Sequence, residues 1–207
     1  QSPEHSAITE QRESVAQQKE TTQREGAAPW ESNDPTAIAT DTHTHPSHAD
    51  PQPTSPAYRS ANQAKTALGD KKYREALALI AQALALEEGE SEFHEIHGLA
   101  LIGLNRARDA LQALDQAVAL NARNQRAVLQ RGILKYQLKS YSAAELDLLT
   151  SLQLMPTVAA YQTLGRIAEQ ERNCRLAIYY YQNALAINGS DEAMLRNKIA
   201  ALDFSCF

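Results

Sequence analysis

The feature that most constrains this chain is a repeat of small residues with a period of 33 or 34. Gly98, Gly132 and Gly165 share one register of this repeat. Three more registers keep the same period: Ala76, Ala110, Ala144 and Ala177; Ala83, Ala117, Ser151 and Ala184; and the bulky Ile80, Leu114, Leu148 and Tyr181. The apolar residues between them recur with the period of a helix. The pattern therefore predicts two helices in each unit. One such pair of helices cannot bury its own apolar face, so the units are predicted to stack into an all-α solenoid.

We expect the glycines and alanines to mark points where two helices approach closely. The bulky register between the alanines is expected to fill the gap to the next unit. The first unit has Ala64 in place of the glycine, and the third has Ser151 in place of an alanine. These departures are small enough to keep the period.

The 207 residues divide near residue 57 into two segments of different composition. Residues 1–56 hold seven of the eight prolines and carry a formal charge of −6, which leaves +1 for the rest of the chain. A segment so poor in apolar residues does not offset the entropy lost on folding, so it is predicted to be a disordered acidic tail.

Overall composition excludes several classes of protein. A net charge of −5 argues against nucleic acid as a partner. No apolar run is long enough to cross a bilayer, so we expect no membrane-spanning segment. Two cysteines are too few for a disulfide scaffold. The chain begins with Gln1, so the sequence leaves open whether a secretory signal preceded it.

The spacing of the small residues resembles the tetratricopeptide repeat (TPR), as GLALIGLNRARDALQALDQAVAL and LGRIAEQERNCRLAIYYYQNALAI show. The resemblance implies a right-handed superhelix of four repeats, at 57–90, 91–124, 125–157 and 158–191. Residues 191–207 are predicted to form a capping helix, with Asp191 as its N-cap. Met194, Leu195, Ile199, Ala200 and Leu202 are expected to cover the last repeat.

The resemblance also implies a concave groove lined by the first helix of each repeat. Its predicted residues are Glu95, Leu99, Ile102, Arg126, Leu129, Ile133, Tyr136, Gln162 and Arg166, and the first repeat adds Tyr58, Ala61, Lys65, Leu68 and Gly69. This surface is expected to bind a peptide or protein segment with apolar anchors and some acidic character. The chain is thus predicted to be a non-catalytic scaffold and a subunit of a larger complex. The alternative is that part of this stripe is core.

A weaker local resemblance gives the alternative function. SLQLMPTVAAYQTLGRIAEQERNCRLAIYYYQNAL looks like the repeat region of bacterial envelope zinc metallopeptidases. It implies an accessory, substrate-holding region of an envelope protease or secretion machine. It also favours the bacterial periplasm or envelope as the location, with the cytoplasm left open.

No catalytic motif and no cofactor site are predicted. His94 and His97 stand three residues apart rather than four, so they are expected to pack between helices rather than to bind zinc. In the tail, His43, His45 and His48 are weak candidates for Zn²⁺ or Cu²⁺ ligands, because ordering a flexible tract costs entropy.

Two features of the chain ends have alternative interpretations. If the capping helix runs back along the fourth repeat, Cys206 returns to the level of Cys174, and the two form either a disulfide or a pair of free thiols. Trp30, the only tryptophan, is either a partner anchor or incidental. As a hypothesis, the tail occupies its own groove, with Trp30 or Ile38 as the anchor.

Overall fold

The structure, a computed structural model, describes residues 55–187 and 192–206, and in that part the chain consists of nine α-helices without strands. The helices are α1 Pro56–Gly69, α2 Tyr73–Leu86, α3 Ser91–Gly103, α4 Ala107–Leu120, α5 Gln125–Gln137, α6 Tyr141–Leu154, α7 Val158–Gln170, α8 Cys174–Leu185 and α9 Glu192–Cys206. The predicted all-α solenoid is confirmed. The predicted tail lies outside the described residues, and the repeat boundaries stay predictions. None of the described helices has the length and apolarity that a membrane crossing requires.

The first eight helices form four hairpins that stack in chain order. Each helix packs on its hairpin partner and on the neighbouring hairpin, and α9 packs on α8. The first helices of successive hairpins also contact one another, as α1 does α3 and α3 does α5, whereas the second helices, α2, α4, α6 and α8, make no such contact within the described residues. The first helices are therefore the closely spaced, concave side, and the second helices splay apart on the convex side.

The turn inside each hairpin has the same geometry in all four copies. Lys71, Asn105, Lys139 and Arg172 have positive φ angles of 57–63°. In the third hairpin the N–H of Lys139 donates to the carbonyl of Tyr136 (2.9 Å) and that of Ser140 to Lys135 (2.9 Å). This is the Schellman pattern, which satisfies the last carbonyls of a helix and usually places glycine at the left-handed position.

Replacing Lys139 with glycine is expected to stabilise the fold. The left-handed conformation costs an L-residue about 1–2 kcal/mol, and the greater freedom of glycine in the unfolded chain cancels part of the gain. Lys139→Gly should therefore raise the free energy of unfolding by about 0.5–1 kcal/mol, measured by urea denaturation. Lys139→Ala keeps the strain and is the matched control; an equal gain from alanine would refute the explanation.

Hairpin packing depends on the three glycines of the first register. A Cβ at Gly98 would lie 2.8 Å from Leu114, one at Gly132 would lie 3.0 Å from Leu148, and one at Gly165 would lie 2.5 Å from the Tyr181 ring. Each bulky residue thus packs over the glycine of its own hairpin. Ile80, Leu114 and Leu148 also belong to apolar clusters that include residues of the next hairpin, as expected for side chains that fill the gap between units.

Gly165→Ala is expected to destabilise the chain by about 1–3 kcal/mol, the usual cost of overpacking a core. Tyr181 is buried and its hydroxyl is hydrogen-bonded to Glu169, so the ring is not free to move aside. Gly69→Ala is the control, because no atom lies within 4 Å of a Cβ there and alanine favours the helix. Urea denaturation of both variants measures the difference; equal effects would contradict the packing argument.

An ion-pair network joins the second and third hairpins. Arg131 on α5 donates from Nε and Nη2 to the carboxylate of Asp147 on α6 (2.8 and 2.6 Å) and from Nη1 to Asp115 on α4 (3.0 Å). Lys135 adds a contact of 2.8 Å to Asp147, which is buried. Since removing one partner would leave the other charge buried and unpaired, the network fixes how these helices meet.

The capping helix is held by apolar and polar contacts. Leu195 is buried, and Ile199 and Leu202 pack against the core of the fourth hairpin. Met194 and Ala200, which were expected to cover that hairpin, are exposed, because α9 turns only one face to it.

A polar cluster joins the same helix to α7 and α8. Lys198 donates to the Glu169 carboxylate (2.7 Å), to which the Tyr181 hydroxyl also donates (2.6 Å). Burial and the hydrogen bond to Glu169 raise the pKa of Tyr181, so the hydroxyl stays protonated as a donor. Cys174 is disulfide-bonded, but the side chain of Cys206 lies outside the described part, so their pairing stays a prediction.

Candidate peptide-binding groove

A cleft of about 350 Å³ opens on the concave side between α1, α2, α3 and α5. Five of its residues belong to the predicted groove registers: Lys65, Leu68, Gly69, Leu99 and Arg126. The structure thus brings together the groove residues of the first three hairpins. They meet because the first helices of successive hairpins are in direct contact.

Sequence reasoning missed two residues of this cleft, Tyr73 and Ile96. Tyr73 opens α2, and its ring lies directly against Gly103 at the end of α3, where a Cβ would overlap the ring atoms. The sequence signals were an aromatic residue directly after the turn of the first hairpin, and Gly103, which stands one repeat after Gly69. Ile96 lies at the buried base of the cleft.

The charges around the cleft are arranged as two ion pairs. Lys65 on α1 pairs with Glu92 on α3. Arg126 on α5 pairs with Glu95 on α3, with Nε 3.2 Å from Oε1. Lys65 and Arg126 therefore both already face glutamates. An acidic group on a ligand has to compete with these carboxylates.

Glu95 is the one of the two glutamates that is buried, with 8% of its side chain exposed. Burial raises the pKa of Glu95, while a hydrogen bond from Asn124 and the charge of Arg126 act in the opposite direction. The folded state therefore holds a proton at a pH where the unfolded chain, with an ordinary pKa of about 4.3, has lost it. As the pH rises above the unfolded-state pKa, the cost of ionising the buried Glu95 lowers the stability of the fold, and this loss persists at higher pH.

Glu95→Gln is therefore expected to make the fold more stable at pH 7, with the difference disappearing below a pH of about 4. Urea denaturation at a series of pH values measures this. Glu92→Gln is the control, because an exposed ion pair contributes little to stability at any pH. If Glu95→Gln were less stable than the parent at neutral pH, the carboxylate would be a net stabilising group.

The other predicted groove residues are placed differently. Leu129 is buried in the core, and Ile133 and Tyr136 are half-buried and pack against it. Ile102 is half-buried and packs on the core of the second hairpin. Gln162 is half-buried, and Arg166 is exposed on α7. In this stretch the stripe that was assigned to the groove serves largely as packing surface, in agreement with the alternative interpretation.

The histidines divide between two parts of the chain. His43, His45 and His48 lie outside the described residues, and among the residues that are described no three His, Cys, Asp or Glu side chains form a group able to hold a metal ion. His94 and His97 are half-buried on α3, away from the groove, and the Nε2 atom of His94 lies 3.0 Å from the carbonyl oxygen of Glu88.

The sequence matches no protein-family profile and no curated protein. Solved structures do match. The Pseudomonas aeruginosa pilF protein is 20% identical, with a TM-score of 0.66 over 72% of this chain and 68% of its own. A Thermus thermophilus TPR protein is 21% identical, with a TM-score of 0.59 over 72% and 81%. The TPR domain of Arabidopsis OM64 is also 21% identical, with a TM-score of 0.54 over 56% and 96%.

The fold is that of the tetratricopeptide repeat. The predicted resemblance is thus confirmed at the level of structure. These structures are 20–21% identical to the chain, and the likeness to them is a likeness of fold.

Proposed function

We propose that this TPR chain is a scaffold that binds an extended protein segment in the concave cleft between α1, α2, α3 and α5. The observation that carries the proposal is the cleft itself, in which the half-buried Leu68 and Leu99 line the concave side above the buried Ile96. Exposed apolar clefts of this kind typically mark interaction sites.

The chemistry of the cleft defines the ligand. An apolar side chain fits between Tyr73 and Leu99, and the two ion pairs border it on either side. Because both cations are paired, affinity comes mainly from the buried apolar anchor, and the charges select the flanking residues. A carboxylate beside the anchor is accepted only where it replaces Glu92 or Glu95 as a partner of the cation.

The same geometry suits a subunit of a larger assembly. A segment bound on the concave side leaves the convex side, formed by α2, α4, α6 and α8, available to a second partner. This part of the proposal rests on the separation of the two surfaces.

The groove is tested by panning a random peptide display library against the whole chain and measuring the affinity of the recovered peptides by calorimetry. Leu99→Arg is expected to weaken binding at least about tenfold, roughly 1.4 kcal/mol, because it places a charge on the apolar floor. Recovered peptides should share an apolar anchor.

Leu86→Arg is the matched control, since Leu86 is an exposed leucine of α2 outside the cleft. Peptides that bind both variants as well as the parent would show that the concave cleft is not the binding site. Circular dichroism of each variant confirms that the fold is retained.

A further inference from the structure

A second, larger cleft of about 850 Å³ opens on the convex side between α2 and α4, and α3 forms its floor. Leu84, Leu101, Ala113 and Leu120 supply apolar surface, and His94 and His97 supply imidazoles. It exists because, in the part of the chain that the structure describes, the backbones of successive second helices do not approach one another closely. It is separate from the concave groove, with which it shares none of its lining residues.

The repeat itself shows what normally fills such a gap. Ala113 occupies the register of Asp147 in the third hairpin and Tyr180 in the fourth. Asp147 binds Arg131 there, and Tyr180 packs on Tyr161, with ring centroids 6.4 Å apart. In the second hairpin the same position carries only a methyl group, so the gap stays open.

The floor of the open cleft also differs from its counterparts. His97 occupies the register of Arg131 and Leu164. Burial, together with the nearby His94 and Arg106, lowers the pKa of His97, so its imidazole is neutral near pH 7. Within the described part of the chain no group is hydrogen-bonded to this ring. A neutral imidazole offers one donor and one acceptor to an occupant.

The N-terminal segment joins the solenoid at the edge of this cleft. Ser55, which precedes α1, donates from its hydroxyl to the carboxylate of Glu87 (2.7 Å). The next residue, Glu88, lines the cleft, and its carbonyl oxygen lies 3.0 Å from His94 Nε2. Ser55, the first described residue, therefore lies at the rim of the cleft.

We propose that the chain's own N-terminal segment docks in the convex cleft, with Trp30 as its anchor. The indole supplies the aromatic surface that Tyr180 provides in the fourth hairpin, and its N–H is a donor for His97. The 24 residues between Trp30 and Ser55 span about 25–30 Å as a flexible coil, which exceeds the roughly 21 Å length of α4. The docked segment and a concave ligand occupy different faces.

Trp30 is the only tryptophan, so its fluorescence reports its environment in the unlabelled full chain. The expected result is blue-shifted emission and reduced acrylamide quenching relative to a free peptide of residues 25–35. Ala113→Tyr fills the cleft as Tyr180 does, and should return both signals to the values of the free peptide. Leu120→Glu places a charge on the cleft wall, and it should likewise red-shift the Trp30 emission and increase acrylamide quenching.

Leu86→Glu is the control for Leu120→Glu, because the two exposed leucines share a register one repeat apart and Leu86 lies outside the cleft. It should leave the emission unchanged. Circular dichroism checks that Ala113→Tyr folds. If Ala113→Tyr does not fold, the emission of Leu120→Glu tests whether Trp30 occupies the cleft.

Three outcomes would overturn the proposal. Emission of the wild-type chain that matches the free peptide would show that Trp30 is exposed. A red shift caused by Leu99→Arg, but not by Leu120→Glu, would place the segment in the concave groove. A blue shift that disappears on dilution would show that Trp30 binds a second copy of the chain.

Discussion

The close approach of the two helices within each hairpin is the constraint on which the rest of the structure depends. Leu114, Leu148 and Tyr181 each lie over a glycine of the preceding helix. This contact fixes how the second helix of a hairpin sits on the first. As the four described hairpins stack, the backbones of the first helices approach closely and those of the second helices do not, so one face becomes concave and the other keeps gaps.

The side chains that fill these gaps differ from one hairpin to the next. The third hairpin uses the buried Asp147 and its ion pairs, and the fourth uses Tyr161 and Tyr180. The second has Ala113 and leaves a cleft lined by histidines. The last hairpin is closed by α9, which Lys198 ties to Glu169. Polar networks and aromatic rings thus complete packing that the small residues begin.

Much of the fold followed from the sequence, because the period and its small residues require paired helices in contact. The candidate site followed only in part. Lys65, Leu99 and Arg126 line the concave cleft, whereas Leu129 is core and Ile133 and Tyr136 pack against it. An apolar stripe on a helix does not reveal which of its residues the neighbouring hairpin covers, since that depends on how two hairpins meet. Tyr73 lines the cleft from α2, a second helix of a hairpin, and a pattern within the first helices alone does not predict this contribution.

By itself the sequence determined the helices, their pairing and the register of the close contacts, because these depend on local periodicity and on side-chain size at fixed positions. Only the tertiary structure decided the partners of the charges. Lys65 and Arg126 face Glu92 and Glu95, and Arg131 lies between Asp115 and Asp147. It also decided that the convex gap beside Ala113 stays open. These outcomes depend on distances between residues on different helices, and those distances exist only after the hairpins have stacked.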